Sequence, residues 1–166
     1  MKIKGDGFIL RPIKMSDAQA YWETMQDEET IKGFMSVPHS FSEAKEEVKE
    51  HIKKSKTKIT EVFTIEVDGK YAGNVKLDCQ GYKLDTGEGR VHLWVHPDFR
   101  GRGLATKALA LLIDYGFNKR KFRVIYAQTK AENKSVAKVL ENVGFRFVEY
   151  RLVEGIKKMW WEKRKK

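Results

Sequence analysis

Residues 91–117 read Val91-His-Leu-Trp-Val-His-Pro-Asp-Phe-Arg-Gly-Arg-Gly-Leu-Ala-Thr-Lys-Ala-Leu-Ala-Leu-Leu-Ile-Asp-Tyr-Gly-Phe117, and their hydrophobic period changes at the centre. The aliphatic residues before Pro97 alternate, as they do in a half-buried β-strand. Those after Gly103 recur every three or four positions, which is the spacing of one helix face. The pattern therefore predicts a strand, a tight turn over Arg100-Gly-Arg-Gly103, and a helix.

The predicted turn has the properties of an anion site. The first N–H groups of a helix have no partner within the helix, and the helix dipole adds positive potential there. Gly101 and Gly103 let the backbone turn tightly and let a phosphate approach the amides. Arg100 and Arg102 add positive charge. A P-loop is excluded because no Lys-Ser or Lys-Thr follows the glycines, and the dinucleotide fingerprint lacks its third glycine. We interpret the turn as a pyrophosphate cradle.

The segment Val95-His-Pro-Asp-Phe-Arg-Gly-Arg-Gly-Leu-Ala105 resembles the acyl-CoA-binding motif of the GNAT superfamily of N-acetyltransferases, with Arg100, Gly103 and Ala105 at the Arg/Gln-x-x-Gly-x-Gly/Ala positions. Residues 133–145 resemble a second GNAT signature, in which Asn133 opens a helix and Gly-Phe closes it. The opening Phe8-Ile-Leu-Arg-Pro-Ile13 is similar to that of the RimJ/RimL-like branch. The resemblance extends over nearly the whole chain.

This resemblance implies an acyltransferase that uses acetyl-CoA as co-substrate and no metal. The amine acceptor attacks the thioester directly, without a covalent enzyme intermediate. The pantetheine arm lies between two parallel strands that diverge, where main-chain groups are free to pair with it. A backbone N–H near Trp94 or Val95 is the expected oxyanion donor. The residues expected to bind the cofactor are Trp94, Val95, Arg100, Gly101, Arg102, Gly103, Leu104, Ala105, Thr106 and Asn133.

The remaining pattern predicts an α/β fold of the GNAT type. Its central mixed sheet has six to seven strands with a splayed parallel pair, flanked by about four helices. Residues 26–38 are irregular, and Ile31, Phe34 and Met35 offer apolar surface that would wall an acceptor site. Trp160 and Trp161 point to opposite faces of the last strand, so we expect one in the core and one partly exposed.

Length and composition predict one domain over residues 1–166. No apolar run approaches a membrane helix, and the N-terminus lacks the apolar core of a signal peptide. Cys79 is the only cysteine, so it has no disulfide partner within the chain, and its alternating apolar neighbours predict a buried, inert thiol. We therefore expect a cytoplasmic protein that does not enter membranes.

The net charge is +10, from 33 Lys and Arg against 23 Asp and Glu, which predicts attraction to anions. CoA is one such partner, and nucleic acid or the ribosome is another. Much of the excess lies at the end of the chain, and a solvated tail is the favoured interpretation of these residues: Lys157, Lys158, Lys163, Arg164, Lys165 and Lys166.

Two candidates for the general base occur in the strand before the turn. Glu88 and His92 share a face if the strand alternates without a break, although strands at this place in the family commonly contain a bulge. Arg90 stands where RimJ/RimL-like proteins often carry a glutamate. The RimI-like branch has its base on the next strand, where this sequence has Gln128, which cannot deprotonate an amine.

The proton donor for the thiolate is less evident in the sequence. Leu140 occupies the position often filled by tyrosine, and Val136 the position often filled by serine. Ser135 is one residue, or about 100° of helix, away from that position. Tyr126 and Tyr150 are the other candidates.

Three acceptors or roles stay open at this stage. The acceptor is a protein N-terminus, or a small amine such as a polyamine, for which Glu43, Glu46, Glu47 and Glu50 would supply an acidic wall. The alternative class is a basic module that binds CoA or nucleic acid on the same fold without catalysis. The sequence does not distinguish a monomer from a homodimer.

Overall fold

A mixed sheet of eight strands organises the described part of the chain, which in the computed structural model comprises residues 1–34 and 36–166. The strands are Ile3–Lys4 (β1), Ile9–Pro12 (β2), Thr60–Val67 (β3), Lys70–Cys79 (β4), Glu88–Val95 (β5), Val124–Lys130 (β6), Arg146–Val153 (β7) and Ile156–Arg164 (β8). Their spatial order is β1-β2-β3-β4-β5-β6-β8-β7. Only β5 and β6 are parallel neighbours among these strands.

Five α-helices accompany the sheet within the described residues: Ala18–Gln26 (α1), Glu28–Gly33 (α2), Phe41–Ser55 (α3), Leu104–Asn118 (α4) and Lys134–Asn142 (α5). The expected mixed α/β fold is confirmed, with one strand and one helix more than predicted. The additional strand is the two-residue β1. The additional helix is α2, which falls in the stretch predicted to be irregular and is capped by the Asp27 side chain, an acceptor for the Thr30 N–H. Met35 lies outside the described residues.

The helices divide between the two faces of the sheet. Leu109, Leu112 and other apolar residues of α4 pack with Val91 of β5 and Ile125 of β6 in the larger core. On the opposite face, α1 and α3 pack with Trp94 of β5 in a smaller core. The alternation predicted for residues 91–95 therefore aims successive side chains of β5 at different helix layers.

The parallel strands β5 and β6 diverge soon after they meet. They pair over three positions only, Glu88 with Val124, Gly89 with Ile125 and Arg90 with Tyr126. Beyond Arg90 the two strands separate, and we call this gap the split. On its other edge β5 remains paired with β4 without a register break as far as Val95. The predicted splayed pair is thus present, whereas the bulge considered for this strand is absent.

Two smaller expectations need correction. Register breaks lie instead in the β3–β4 pairing, between Ile65 and Glu66, and in the β7–β8 pairing, between Phe147 and Glu149. Trp160 and Trp161 are both buried, because the Arg151 guanidinium lies 4.0 Å from the Trp160 ring centroid and covers its face.

The side chain of Cys79 is buried, as expected. Within the described residues, every helix is too short or too polar to cross a membrane.

Candidate active site

The turn between β5 and α4 presents a row of unpaired amides. Gly101 and Gly103 have φ values of 76° and 71°, the left-handed region that favours glycine. Gly103 is the N-cap of α4, and the first helical bond runs from the Lys107 N–H to the Gly103 carbonyl at 3.1 Å. For the main-chain N–H groups of residues 101–106, no acceptor exists among residues 1–34 and 36–166. This row, at the positive end of a 15-residue helix, fits a diphosphate.

The side chains of the cradle differ from one another in exposure and in the groups that they contact. Arg102 is exposed, donates to the Asp98 carbonyl at 3.1 Å and stacks on Phe99, so its charge stays at the surface. Leu104 is buried in the larger core and contributes its N–H only. Ala105 and Thr106 are partly exposed in the first turn of α4. Their contact with the cofactor stays a prediction.

Arg100 differs from the expectation that its charge faces a phosphate. Its guanidinium lies 2.7 Å from the Asp27 carboxylate and 2.9 Å from the Thr30 hydroxyl, both on α2 or its cap. It also donates to the Val95 carbonyl at 3.0 Å. Burial raises the pKa of Asp27, but hydrogen bonds from Arg100 and Thr30 outweigh it and lower that pKa below its usual range. Arg100 therefore ties the end of β5 to α2.

Lys130 makes a similar link from the other side of the split. At the end of β6, its ammonium donates to the Lys32 carbonyl at 2.6 Å and to the Phe34 carbonyl at 3.2 Å. Since Arg100 and Lys130 hold the same short helix from two diverging strands, α2 bridges the mouth of the split.

We expect Asp27→Asn to raise the KM for the amine acceptor about fivefold, because one partly buried ion pair contributes about 1 kcal/mol. Asparagine is an equally good N-cap, so the substitution removes the charge and keeps the cap of α2. Glu29→Gln is the matched control, since the Glu29 carboxylate also faces Arg100 but its side chain is 78% exposed. Steady-state kinetics, with each substrate varied in turn, would show which of the two KM values changes. An increase confined to the KM for acetyl-CoA would contradict this role.

The backbone of β5 presents only alternate residues to the split. The His96 N–H donates to the Ala72 carbonyl of β4 at 2.8 Å, and antiparallel ladder bonds alternate along a strand. The N–H of Trp94 is therefore directed at β4, while those of Leu93 and Val95 face the split. This corrects the prediction for Trp94: Val95 and Leu93 are the main-chain donors available there. The Trp94 indole N–H bonds Asn74 at 2.9 Å.

A pocket of about 400 Å³ lies on the α1–α3 side of β5. Its aromatic wall consists of Tyr21, Phe34 and Trp94, whose rings meet edge to face at 5.6–6.2 Å. Three glutamates of α3, Glu46, Glu47 and Glu50, form the acidic wall. The Tyr21 hydroxyl donates to Glu47 at 2.7 Å. Burial, followed by the Glu47 hydrogen bond, raises the pKa of Tyr21, so this hydroxyl stays protonated. Lys54 and Lys76 also line the pocket, so the three carboxylates exceed the lysines by one; carboxylates beside aromatic faces suit a cationic amine.

His92 lies on the wall of this pocket and is held by Asp78 of β4. The His92 Nε2 is 3.1 Å from Asp78 Oδ2, and the Thr60 hydroxyl donates to Asp78 Oδ1 at 2.7 Å. Burial raises the pKa of Asp78, but His92 and the charge of Lys76 outweigh it and lower that pKa to about 2. An ionised carboxylate only accepts, so Nε2 carries the proton and Nδ1 is left with its lone pair.

The ionisation of His92 suits a base. Burial lowers its pKa below the ordinary value, and the opposing hydrogen bond that His92 donates to Asp78 does not restore it. His92 is therefore neutral near pH 7, with 32% of its side chain exposed. A second histidine of the pocket, His51, has its pKa lowered to about 4 by burial and then by Lys76 and Lys54, and it forms no hydrogen bond through its side chain among the described residues.

Glu88 is placed differently from His92, although both are on one face of β5 as predicted. Glu88 pairs with Val124 at the closed end, before the strands separate. It does not line the pocket, and four strand residues place it about 13 Å from His92. Its neighbour is Tyr126, whose pKa is raised by burial and then by the charge of Glu88. The geometry therefore favours His92 over Glu88 as the base.

The other candidates from the sequence are dispersed. Asn133 caps α5, since its side-chain oxygen accepts from the Val136 N–H at 3.3 Å. Ser135 is exposed and donates to the same oxygen, while Leu140 is buried in the core. Tyr150 is 54% exposed on edge strand β7, whereas Tyr126 lies opposite Arg90 at the closed end of the split. The described residues contain no group of three or more His, Cys, Asp or Glu placed to hold a metal ion.

Sequence reasoning missed Asp78 because it ended the hairpin strand at Leu77. In the structure β4 continues to Cys79, and Asp78 pairs with Thr60 on one side and Arg90 on the other. Extending the hairpin register by one residue would have placed a carboxylate diagonally next to His92. The role of Tyr21 and of the α3 glutamates depended on how α1 and α3 lie over the sheet, which no local pattern contains.

Comparison with known proteins gives consistent matches. The model of an acetyltransferase (GNAT) domain matches residues 8–146. The chain is 26% identical over 137 residues to spermidine N(1)-acetyltransferase of Escherichia coli strain K12, covering 82% of this chain and 71% of that protein. A structure of the ribosomal-protein acetyltransferase RimL in complex with coenzyme A has a TM-score of 0.87 at 14% identity, covering 99% and 98% of the two chains. For Mycobacterium smegmatis RimJ in complex with CoA-disulfide the TM-score is 0.82 at 21% identity, covering 99% and 86%.

Proposed function

Because the chain belongs to the GNAT acetyltransferase family, in the RimJ/RimL-like branch that its sequence resembles, we propose that it transfers an acetyl group from acetyl-CoA to a primary amine held in the pocket. The observation that carries this proposal is the neutral His92, oriented by Asp78, on the wall of an aromatic and acidic pocket beside the split.

The cofactor has a matching set of residues in this chain. Residues 101–106 would hold the diphosphate through their N–H groups, and Arg102 adds an exposed charge at the same turn. The main chain of Leu93 and Val95 would pair with the pantetheine amides, as an added strand does. Asn133 lies near α2, since its side-chain nitrogen is 3.5 Å from where a Cβ on Gly33 would be. When bound, acetyl-CoA supplies the activated acetyl group.

His92 performs the proton step in this proposal. An amine enters the pocket as an ammonium ion, attracted by Glu46, Glu47 and Glu50. Nδ1 of His92 removes its proton, directly or through one water, and Asp78 stabilises the resulting imidazolium without being protonated. Main-chain N–H groups of Leu93 or Val95 stabilise the negative charge that develops on the carbonyl oxygen. When the tetrahedral intermediate collapses, the attacking nitrogen gives up its surplus proton, which neutralises the departing thiolate; Tyr126, beside Glu88 at the closed end of the split, lies outside the pocket.

Two acceptors have support from particular observations. The acidic wall and the similarity to spermidine N(1)-acetyltransferase favour a polyamine. The similarity in fold to RimL and RimJ, and an open sheet face beside the pocket, favour a protein N-terminus and an association with ribosomal proteins. A binding module without catalysis would not require a partly buried histidine that is oriented by a carboxylate at the pocket wall.

Thiol release from acetyl-CoA in the presence of peptides with free N-termini, diamines and spermidine tests the proposal. We expect at least one primary amine to be acetylated, with mass spectrometry showing a gain of one acetyl group on that amine. Lysine side chains of the protein itself should not account for the thiol released. Tight CoA binding without turnover on any amine of the panel would favour the binding module instead.

A further inference from the structure

Beside the pocket, the face of β6 and β8 lies outside the smaller core formed by α1 and α3, although the end of α2 contacts it at Lys130. Strand residues in the smaller core come from β3, β4 and β5, and the described residues of α1 and α3 do not extend that core over β6, β8 or β7. Tyr126 and Gln128 of β6 and Trp160 of β8 lie on this face, since Gln128 pairs with Trp160 and Tyr126 pairs with Arg90. The face begins where the split begins, so it adjoins the acceptor side of β5.

Three basic residues on this face have no acidic partner. They are Arg90 of β5, Lys130 of β6 and Lys158 of β8, which we call the basic triad. Lys130 and Lys158 are directly opposite each other, and Arg90 is opposite Tyr126 on the same face. Within the described residues none of the three lies within 4.0 Å of a carboxylate oxygen. Like charges crowded together without a counter-ion are costly, which points to an anionic ligand.

The environment of each member supports this reading. The Arg90 Nε is buried and has no acceptor within the described chain, and one terminal nitrogen only reaches the Tyr82 hydroxyl at 3.5 Å. The Lys130 ammonium contacts neutral carbonyls of Lys32 and Phe34. Burial, followed by the charges of Lys130 and Arg90, lowers the pKa of Lys158. The positive charge around Lys158 therefore outweighs the opposing charge of Glu154.

The distance between Arg90 and His92 would allow one acceptor molecule to contact both the pocket and the basic triad. Arg90 and His92 are two residues apart on the same strand face, or about 7 Å between Cα atoms. An extended peptide advances about 3.3 Å per residue, so a peptide with its amine at His92 brings its second and third residues to Arg90. Lys130 and Lys158 are four residues further along β6 than the partner of Arg90, so their long side chains would have to extend towards the same carboxylate.

We propose that the acceptor is the free N-terminus of an acidic peptide, whose amine enters the pocket and whose second or third side-chain carboxylate binds the basic triad. This rests on the proposed function, because it assigns the acceptor of the same reaction. Glu149 and Glu162 interrupt the positive charge of this face, which disfavours a polyphosphate chain. The Trp160 ring is covered by Arg151 and is not free to stack on a base.

The test uses three peptides of equal length with free N-termini, carrying Asp-Glu, Asn-Gln or Lys-Arg at positions two and three, and spermidine as the polyamine. For the wild-type enzyme we expect a KM about tenfold lower for the acidic peptide than for the neutral one, the scale of one to two charge-assisted contacts at a partly exposed site. In Arg90→Gln/Lys158→Gln that preference should fall below about twofold, with the KM for acetyl-CoA unchanged.

Lys2→Gln/Lys138→Gln is the matched control, because it removes the same charge from exposed positions away from this face and should keep the preference. Thermal unfolding identifies a variant that fails to fold. Anisotropy of a C-terminally labelled acidic peptide, measured with CoA present, gives binding independently of turnover. If no amine is acetylated while the acidic peptide still binds in a triad-dependent manner, the proposed function fails and the anion site stands.

Three results would overturn the inference. The first is equal binding and equal KM for the acidic and neutral peptides. The second is a preference that survives in Arg90→Gln/Lys158→Gln. The third is a lower KM for spermidine than for the acidic peptide, or tighter binding of single-stranded DNA than of the acidic peptide in the anisotropy assay.

Discussion

Gly103→Glu is expected to weaken CoA binding at least ~100-fold, because a carboxylate facing a diphosphate at about 4 Å repels it by several kcal/mol at a protein surface. Gly103 has a φ of 71°, and no heavy atom lies within 4 Å of the Cβ that a side chain would add there. The new side chain therefore points into open space beside the unpaired amides rather than into the core. Isothermal titration with CoA measures the loss.

The backbone strain of this substitution needs its own control. Gly69, in the β3–β4 turn, has a φ of 78° and equally open space around its Cβ position. Gly69→Glu thus carries a similar cost, about 1–2 kcal/mol for a side chain in the left-handed region, at a turn outside the row of unpaired amides. We expect the two variants to lose similar melting temperature and only Gly103→Glu to lose affinity. Unchanged affinity in Gly103→Glu would remove the cradle, and with it the proposed transfer.

The strand, turn and helix of residues 88–118 were predictable because each has a local cause. The period changes from two to 3.6, and the left-handed positions at 101 and 103 require residues without a side chain. The parallel neighbours follow from a strand, helix and strand in succession. These features depend on residues close in sequence, so one sequence contains them.

The sequence alone did not show which of Glu88 and His92 is placed to act as the general base. Both are on one face of β5, and what separates them is that β6 leaves β5 after Arg90. That point depends on β6 being drawn towards β8 over its full length of seven pairs, a tertiary property. Asp78, which gives His92 its orientation, is 14 residues away along the chain and becomes its neighbour only through the β4–β5 pairing.

Arg100 illustrates a motif residue whose role depends on a distant partner. Family resemblance assigns it to the cofactor, and its position in the turn agrees with that. Its side chain is nevertheless held by Asp27 and Thr30, which lie 73 and 70 residues earlier in the chain. The formation of α2 decides this contact, and its pattern was too short and too polar to be recognised. A motif therefore located the turn without determining where each of its side chains points.

His92→Gln is expected to lower kcat about 100- to 1,000-fold, which is the usual contribution of a positioned general base. Glutamine preserves the hydrogen bond to Asp78 and removes the lone pair of Nδ1, so the KM for acetyl-CoA should change little. In the wild-type enzyme, kcat should rise with pH as His92 loses its proton, in a limb below the ordinary histidine pKa because burial lowers it. That limb should be absent from the pH profile of His92→Gln.

His51→Gln and Glu88→Gln are the matched controls for this experiment. His51 lines the same pocket and is even less basic, with its pKa lowered to about 4, yet it lacks a carboxylate partner among the described residues. Glu88 lies at the closed end of the split, outside the pocket. We expect each to retain kcat within about fivefold, since neither is placed to accept the proton. A loss in Glu88→Gln that matches or exceeds the loss in His92→Gln would transfer the role of base to Glu88, and the histidine–aspartate pair would then be structural.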